Sequence, residues 1–253
     1  MPSNQLSHRA RRRAIAAAVA ALVLAVPGSA RADWIVAGFL GHAATRPSTI
    51  VLTLPDRGTS LELDGVRYRG ESFASPQYYT LRVTWVPDRH PWLGLEGEFL
   101  HAKVYAEATE TVRMRGTLRG APIDASLPLS SVVQRLAMSH GLNFILANIA
   151  VRREAGPRDA RGLRRLALVA RAGAGPTKPH AESTVDHVNV DQFQSGGVGA
   201  QLAGGVELTI WRGLQAVGEY KFTWTTPEIE VAGGSARIPA RSHHAAFGLG
   251  YHF

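Results

Sequence analysis

The sequence of 253 residues contains no cysteine, and it has no apolar run long enough to cross a bilayer as a helix. The absence of cysteine excludes a disulfide framework and any thiolate or cysteine-ligated metal chemistry. The longest apolar run, Ala14 to Val26, has 13 residues. A transmembrane helix needs roughly 18 to 20. We therefore expect neither a disulfide-stapled fold nor a helical membrane protein.

Acidic residues are missing from the first 32 positions, although the chain as a whole has 28 basic and 20 acidic residues. Removing the five arginines of this segment leaves 23 basic against 20 acidic residues. A remaining charge of +3 is too small to indicate a polyanion-binding surface. The composition therefore predicts no nucleic-acid partner.

The start of the chain has the pattern of an export signal. A basic segment, residues 8–13, precedes the apolar run, and the run is followed by Pro27-Gly28-Ser29-Ala30-Arg31-Ala32. Small residues at positions 30 and 32 satisfy the rule for signal-peptide cleavage. The sequence predicts a signal peptide over residues 1–32 and a mature domain over Asp33–Phe253.

Alternation of apolar with small or polar residues dominates the mature chain, and this period of two is the signal of β-strands. Eight segments of about ten residues or more show it. They are Trp34–His42, Pro76–Val86, Leu93–Ala106, Met138–Arg152, Leu163–Gly175, Gly196–Ile210, Leu214–Val231 and Ser242–Phe253.

The connections between these segments alternate in length. Four are long or polar, Ala43–Ser75, Glu107–Ala137, Pro176–Ser195 and Ala232–Arg241, and three are short, Pro87–Trp92, Arg153–Gly162 and Trp211–Gly213. An even number of strands with short turns on one side is typical of outer-membrane barrels, whose short turns face the periplasm. We predict an all-β fold, an eight-stranded antiparallel up-and-down transmembrane β-barrel in the outer membrane of a two-membrane bacterium. A soluble sandwich with an aromatic core is the alternative.

The last segment has a further pattern, because Phe247, Leu249, Tyr251 and Phe253 share one face. A strand that ends on a phenylalanine with apolar residues at alternate positions resembles the signal that barrels present to their assembly machinery. We predict that Phe253, Tyr251 and Leu249 form this assembly signal.

Strict alternation also assigns charged side chains to the barrel interior, which in an eight-stranded barrel is just wide enough for side chains. The inward set is Arg82, Glu96, Glu98, Arg171, Glu207, Glu219 and Lys221. Unpaired charges in this space would each cost several kcal/mol to desolvate. The sequence predicts an ion-pair network that plugs the lumen.

The same alternation places His101 and Lys103 on the outward face of the third segment, and His140 outward on the next segment toward the same rim. Cationic side chains at that height would meet the phosphates of lipid A. The alternative is that these side chains only extend toward water.

Several runs carry a family resemblance. The mature chain resembles outer-membrane barrels of the OmpA and opacity type. It is more narrowly similar to bacterial lipid A oxidases in the runs Glu98 to Tyr105, Gly141 to Asn143 and Gly218 to Tyr220, and in Gly173-x-Gly175 followed by Pro179-His180. It differs in having His140 where an acidic residue is common, and in the arginine-rich turn from Arg152 to Arg165.

This resemblance implies oxidation of the proximal glucosamine of lipid A to aminogluconate. On that interpretation His101, His140, His180 and Glu182 supply a base or a divalent metal site at the rim. Lys103, His101 and Asn143 are then the predicted substrate-binding residues. The partners expected are outer-membrane lipid, above all lipid A, and the assembly machinery. The alternative function is a non-catalytic structural or surface-interaction barrel with a plugged lumen.

Overall fold

The computed structural model describes residues 33–158 and 164–253, so the predicted signal peptide lies outside the described residues. Within this part of the chain, no helix is long and apolar enough to cross a membrane. The strands are β1 (Asp33–Thr45), β2 (Ser48–Leu54), β3 (Thr59–Val66), β4 (Tyr68–Arg69), β5 (Tyr79–Val86), β6 (Leu93–Ala106), β7 (Thr111–Leu118), β8 (Ala121–Pro128), β9 (Val133–Arg158), β10 (Arg164–Val185), β11 (Val188–Phe193), β12 (Val198–Trp211), β13 (Leu214–Thr225), β14 (Glu228–Val231), β15 (Gly234–Arg237) and β16 (Ala240–His252).

Eight of these strands close into an antiparallel barrel. Along the wall the order is β1, β5, β6, β9, β10, β12, β13 and β16, and β16 pairs back onto β1. The predicted fold class is therefore confirmed. The predicted segment Leu214–Val231 differs, because it is divided between the barrel strand β13 and the separate strand β14.

The outer surface of the barrel is an apolar belt with aromatic residues near both ends. Leu202, Ile145, Ile149 and Leu249 are among its members, each more than half exposed. Trp34 and Trp85 are paired on β1 and β5 near the short turns, whereas Tyr79 lies at the opposite end of β5. An exposed apolar surface of this extent needs hydrocarbon around it.

The four connections expected to be long or polar contain ordered strands, and here the structure differs from the sequence prediction. Six short strands form a second sheet in the order β14, β15, β2, β3, β7 and β8, while β11 extends the wall beside β10. Side chains such as Ile50, Leu52, Leu61, Leu63 and Met114 are almost completely buried. They belong to one apolar core with barrel residues, so the second sheet packs as a cap at the long-connection end.

An ion-pair junction ties three of these connections together. Asp186, in the turn between β10 and β11, accepts hydrogen bonds from Arg57 at 2.8 Å and from Arg119 at 2.8 Å. Arg57 belongs to the β2–β3 turn and Arg119 to the β7–β8 turn. The backbone N–H of Gly120 also donates to the carbonyl of Gly58 at 2.9 Å. We call the three charged residues the Asp186 junction.

Candidate functional site

A bulge in β9 positions the candidate site. On one side Ala102 and Val104 of β6 pair with Leu142 and Met138, so Lys103 alone faces three residues of β9. Those residues are Ser139, His140 and Gly141. The backbone at Gly141 has φ +103°, and a Cβ there would lie 2.4 Å from His101 Nδ1. Because side-chain-bearing residues rarely adopt this conformation, the bulge depends on glycine.

The bulge brings His140 beside β10. One potential ligand atom from each of His140, His180 and Glu182 lies within 4.8 Å of the other two. The two imidazole rings are 4.6 Å apart with their planes at 72°. We call these three residues the rim cluster. The structure thus brings together three of the four residues that we assigned to catalysis, and it does not place His101 among them.

β11 supports His180 from the other side. Asp191 Oδ1 lies 3.2 Å from His180 Nε2, and the ring of Phe193 packs edge-on against the imidazole at 4.4 Å. The remaining nitrogen, His180 Nδ1, is buried without a hydrogen-bond partner among the described residues. The imidazole is therefore held in place with one ring nitrogen unsatisfied.

The carboxylate of Glu182 accepts hydrogen bonds from an arginine and from a serine hydroxyl. Arg135 of β9 donates to Glu182 Oε2 at 2.8 and 2.5 Å. The Ser139 hydroxyl donates to Oε1, and His140 Nδ1 lies 3.8 Å from the same oxygen. The carboxylate is thus oriented by one permanent charge and one exchangeable hydroxyl.

The sequence expectation for His101 and Lys103 is wrong in one respect. Both were expected at an exposed rim, yet they are only 4% and 5% exposed. The chain between β4 and β5 covers Lys103, whose Nζ donates to the Ala74 carbonyl at 3.2 Å. Tyr79, at the start of β5, stacks on His101. Neither side chain is available to a lipid headgroup.

Asn143, expected to bind substrate, is also buried and fully engaged. Its Oδ1 lies 2.9 Å from His101 Nδ1, and its Nδ2 donates to the Lys178 carbonyl at 3.0 Å and the His140 carbonyl at 3.4 Å. These contacts link β6, β9 and β10 at the bulge. Asn143 therefore fixes the bulge geometry.

The height of the rim cluster follows from the outward face of β10. Leu168, Ala170, Ala172, Ala174 and Pro176 follow one another on that face, and all are exposed. The run spans roughly 20 Å across the bilayer at a strand rise of about 3.3 Å and a tilt of about 40°.

Polar side chains begin directly after this apolar run. Lys178 is the next residue on the face and is exposed, and His180 and Glu182 follow it. His140 is also exposed, with 59% of its side chain accessible. The rim cluster therefore lies just beyond the apolar belt, at the height of lipid headgroups.

The seven charged residues predicted for the lumen are all buried inside the barrel. Arg82 donates to Glu98 at 2.8 Å and to Glu219 at 2.6 Å. Arg171 donates to Glu96 at 3.0 Å and also pairs with Glu219. Lys221 contacts both Glu98 and Glu219.

Glu207 lies at the edge of this network. It is 4.0 Å from Arg171 and takes a closer hydrogen bond of 3.0 Å from Arg152. The sequence does not predict this partner, because Arg152 lies at the start of the arginine-rich turn rather than in the inward set. With Arg152, four basic side chains balance the four predicted acids, so the network carries no net charge.

The predicted assembly residues lie at the seam of the barrel. Leu249 and Tyr251 of β16 are 58% and 42% exposed. Phe253 follows the strand, its backbone N–H donates to the Trp34 carbonyl at 2.9 Å, and its ring packs against Tyr251. Their role in assembly stays a prediction.

Comparison with known proteins gives a likeness of fold only. No protein-family model matches the chain, and no curated protein matches its sequence. Among solved structures, the chain is similar to Neisserial surface protein A at 11% identity and a TM-score of 0.44, over 88% of this chain and 100% of that one. The outer membrane protein AlkL, determined in DMPC bilayers, gives 11% identity and 0.42 over 90% and 93%.

The outer membrane protein OprG of Pseudomonas aeruginosa gives 11% identity and 0.36 over 87% of this chain and 95% of that one. At such scores the likeness carries no argument about function, and the fold rests on the strand pairing and the apolar belt of this chain. The chain is an eight-stranded β-barrel of the outer-membrane type. The resemblance to lipid A oxidases is tested by none of these matches.

Proposed function

We propose that the protein is an outer-membrane barrel that acts on lipid A from its outer wall, at the rim cluster. One observation carries the proposal, namely the change from apolar to polar residues on the outward face of β10 at Lys178. A lipid beside the wall presents its phosphates and sugars at this height. Lys178 is an exposed cation suited to a phosphate, and His140 and His180 supply bases for the sugar.

The interior of the barrel supports a wall site rather than a channel. Arg82, Arg171 and Lys221 are at most 4% exposed and are paired with buried carboxylates. The lumen of an eight-stranded barrel has little room beyond such side chains. Chemistry on a lipid therefore belongs on the outer surface, where the substrate already lies.

The reaction that the family resemblance implies is oxidation at C1 of the proximal glucosamine. The hemiacetal carbon loses its C–H hydrogen and the hydroxyl loses its proton, which gives a lactone. The two electrons and two protons pass to a two-electron acceptor such as dioxygen, which becomes hydrogen peroxide. Water then opens the lactone to aminogluconate. An imidazole of the rim cluster is the base for the hydroxyl proton.

The proposal is tested with the purified barrel in bicelles that contain lipid A with a free 1-hydroxyl group, incubated in air. We expect mass spectrometry to detect lipid A that has gained one oxygen atom. The product should disappear with His180→Ala and persist with the control His187→Asn. His187 lies in the β10–β11 turn outside the rim cluster, and asparagine tolerates its φ of +65°.

A second candidate is a non-catalytic surface barrel, and the folded cap favours it. The outer strands β7 and β8 present the ion pair Arg113–Asp124, which is more than half exposed on both side chains. An exposed charged sheet of this kind suits contact with another molecule. Unmodified lipid A in the wild-type incubation, with the barrel folded, would favour this candidate over the oxidase.

A further inference from the structure

The rim cluster has the composition of a transition-metal site. Two imidazoles and one carboxylate are a common set for first-row divalent ions that keep open positions for substrate. Magnesium and calcium prefer oxygen ligands alone, so the two histidines disfavour them.

From this geometry we infer that His140, His180 and Glu182 bind one divalent first-row transition-metal ion at the outer rim. The metal site deepens the proposed function. The role of the ion in the reaction rests on that function. Metal binding itself follows from the geometry of the cluster and is measurable without any lipid chemistry.

His180 is prepared as a ligand by its neighbour on β11. Asp191 Oδ1 lies 3.2 Å from His180 Nε2. A carboxylate at this position favours the tautomer with the proton on Nε2, which leaves a free lone pair on the other ring nitrogen. That nitrogen, Nδ1, is the buried atom without a partner among the described residues. A carboxylate behind a ligating histidine is the usual outer-shell arrangement, because it fixes the tautomer and the ring orientation.

Glu182 offers one oxygen to the ion. Arg135 occupies Oε2, while Oε1 is approached by the Ser139 hydroxyl and by His140 Nδ1 at 3.8 Å. A serine hydroxyl rotates away readily, whereas the guanidinium holds the carboxylate in place. The expected ligand set is therefore two nitrogens and a single carboxylate oxygen, with water or substrate in the other positions.

A modest movement completes the site. Ligand atoms about 2.0 to 2.2 Å from an ion lie roughly 3.0 to 3.5 Å from one another. The cluster spans up to 4.8 Å. His140 is the ligand that moves to close the difference, because it stands on the bulge with 59% of its side chain exposed. The movement breaks the 3.1 Å contact between its Nδ1 and the Ser139 hydroxyl. His180, held by Asp191 and Phe193, is the fixed ligand.

The test is titration of the tag-free, refolded barrel in detergent with Co²⁺, followed by visible absorption, and with Zn²⁺ in competition. We expect one ion per chain in the wild type. His140→Ala, His180→Ala and Glu182→Gln should each weaken binding by at least about tenfold, and Asp191→Asn by roughly tenfold as an outer-shell change. The control His187→Asn should bind as the wild type does.

Heat-modifiable gel mobility, measured on every variant, separates loss of the site from loss of the fold. A folded wild-type barrel that binds no Co²⁺ or Zn²⁺, or equal binding by wild type and folded His180→Ala, would overturn the metal site. Binding with no oxidised lipid A leaves the metal site standing and overturns the proposed oxidation. Oxidised lipid A with no metal bound would support the proposed oxidation and overturn the metal site.

Discussion

The effect on stability of removing one charged residue from the barrel interior depends on how many charged partners that residue contacts. Glu219 is shared by Arg82, Arg171 and Lys221, whereas Glu207 is held by Arg152 near the lumen edge and by Arg171 at a longer distance. A buried charge without its partner costs more than the pair contributes, because desolvation is not compensated. Among the described lumen carboxylates, Glu219 contacts the most cations, so its removal affects the most buried positive charges.

Replacing Glu219 with alanine should lower the free energy of unfolding by about 3 to 5 kcal/mol, since three cations lose a shared carboxylate. Urea-induced unfolding in lipid vesicles, followed by tryptophan fluorescence, measures the change. The double variant Glu219→Ala/Lys221→Ala removes one acid and one base and should lose less than the sum of the two single variants. Strict additivity would show that the two side chains are not coupled.

At the residue scale, alternation is enough to predict which charges face inward, because each strand has only two faces. It does not predict that His101 and Lys103 are buried. Lys103 is covered by the segment that contains Ala74, which carries no periodic signal, and His101 is covered by Tyr79. Both contacts join residues that are more than 20 positions apart in the sequence. The contact between His180 and Asp191 was missed for a similar reason, since it requires the pairing of β10 with β11.

At the scale of elements, the barrel strands are easier to predict from the sequence than the cap strands are. The barrel strands are long and regular, so a period of two is visible over many residues. The cap strands are short and lie between glycines and charges, yet Ile50, Leu52 and Leu54 alternate in the same way. Connections of more than about 15 residues rarely lack secondary structure. The length of the connections was therefore the feature of the sequence that indicated the cap strands.

The bulge in β9 provides a test at this scale. Gly141→Ala would place a Cβ 2.4 Å from His101 Nδ1 and 2.6 Å from Asn143 Oδ1, at a φ of +103°. We expect a loss of roughly 1 to 3 kcal/mol in unfolding free energy, because the backbone is strained in addition to the steric contact. The same urea titration measures it.

Gly97→Ala is the matched control on β6, since nothing lies within 4 Å of its added Cβ. It should behave as the wild type does. If Gly141→Ala were equally stable, the bulge would not depend on glycine, and the placement of His140 would need another explanation.

Across the whole molecule, the Asp186 junction joins three connections that are far apart in sequence. Burial alone would raise the pKa of Asp186, but the hydrogen bonds and charges of Arg57 and Arg119 outweigh it and lower the pKa. A lowered pKa in the folded state stabilises the junction above the unfolded value, about 3.9 for aspartate, and this stability is lost as pH falls through the folded pKa.

The cap should therefore keep constant resistance to an acid-active protease at mildly acidic pH and lose it as the pH falls below about 3.9. Asp186→Asn should lower this resistance at mildly acidic pH, where Asp186 is ionised and the protease is active. It should also remove part of the pH dependence, since asparagine accepts the φ of +47° but carries no charge. Comparison of the two proteins cancels the contribution of other carboxylates. Identical pH profiles would show that the junction does not stabilise the cap.

The closing seam of the barrel has a consequence in time. β1 pairs with β16 along eleven residues, from Ile35 with His252 to Thr45 with Ser242. The barrel strand that is synthesised first can therefore pair only after the last one has been made, across separations of 197 to 217 residues. Contacts this distant close slowly, because the entropy of the intervening loop is lost before the contact forms. Until then the edge of β1 that pairs with β16 is unpaired and can pair with strands of other chains. The topology therefore requires that this edge be protected from aggregation between synthesis and insertion.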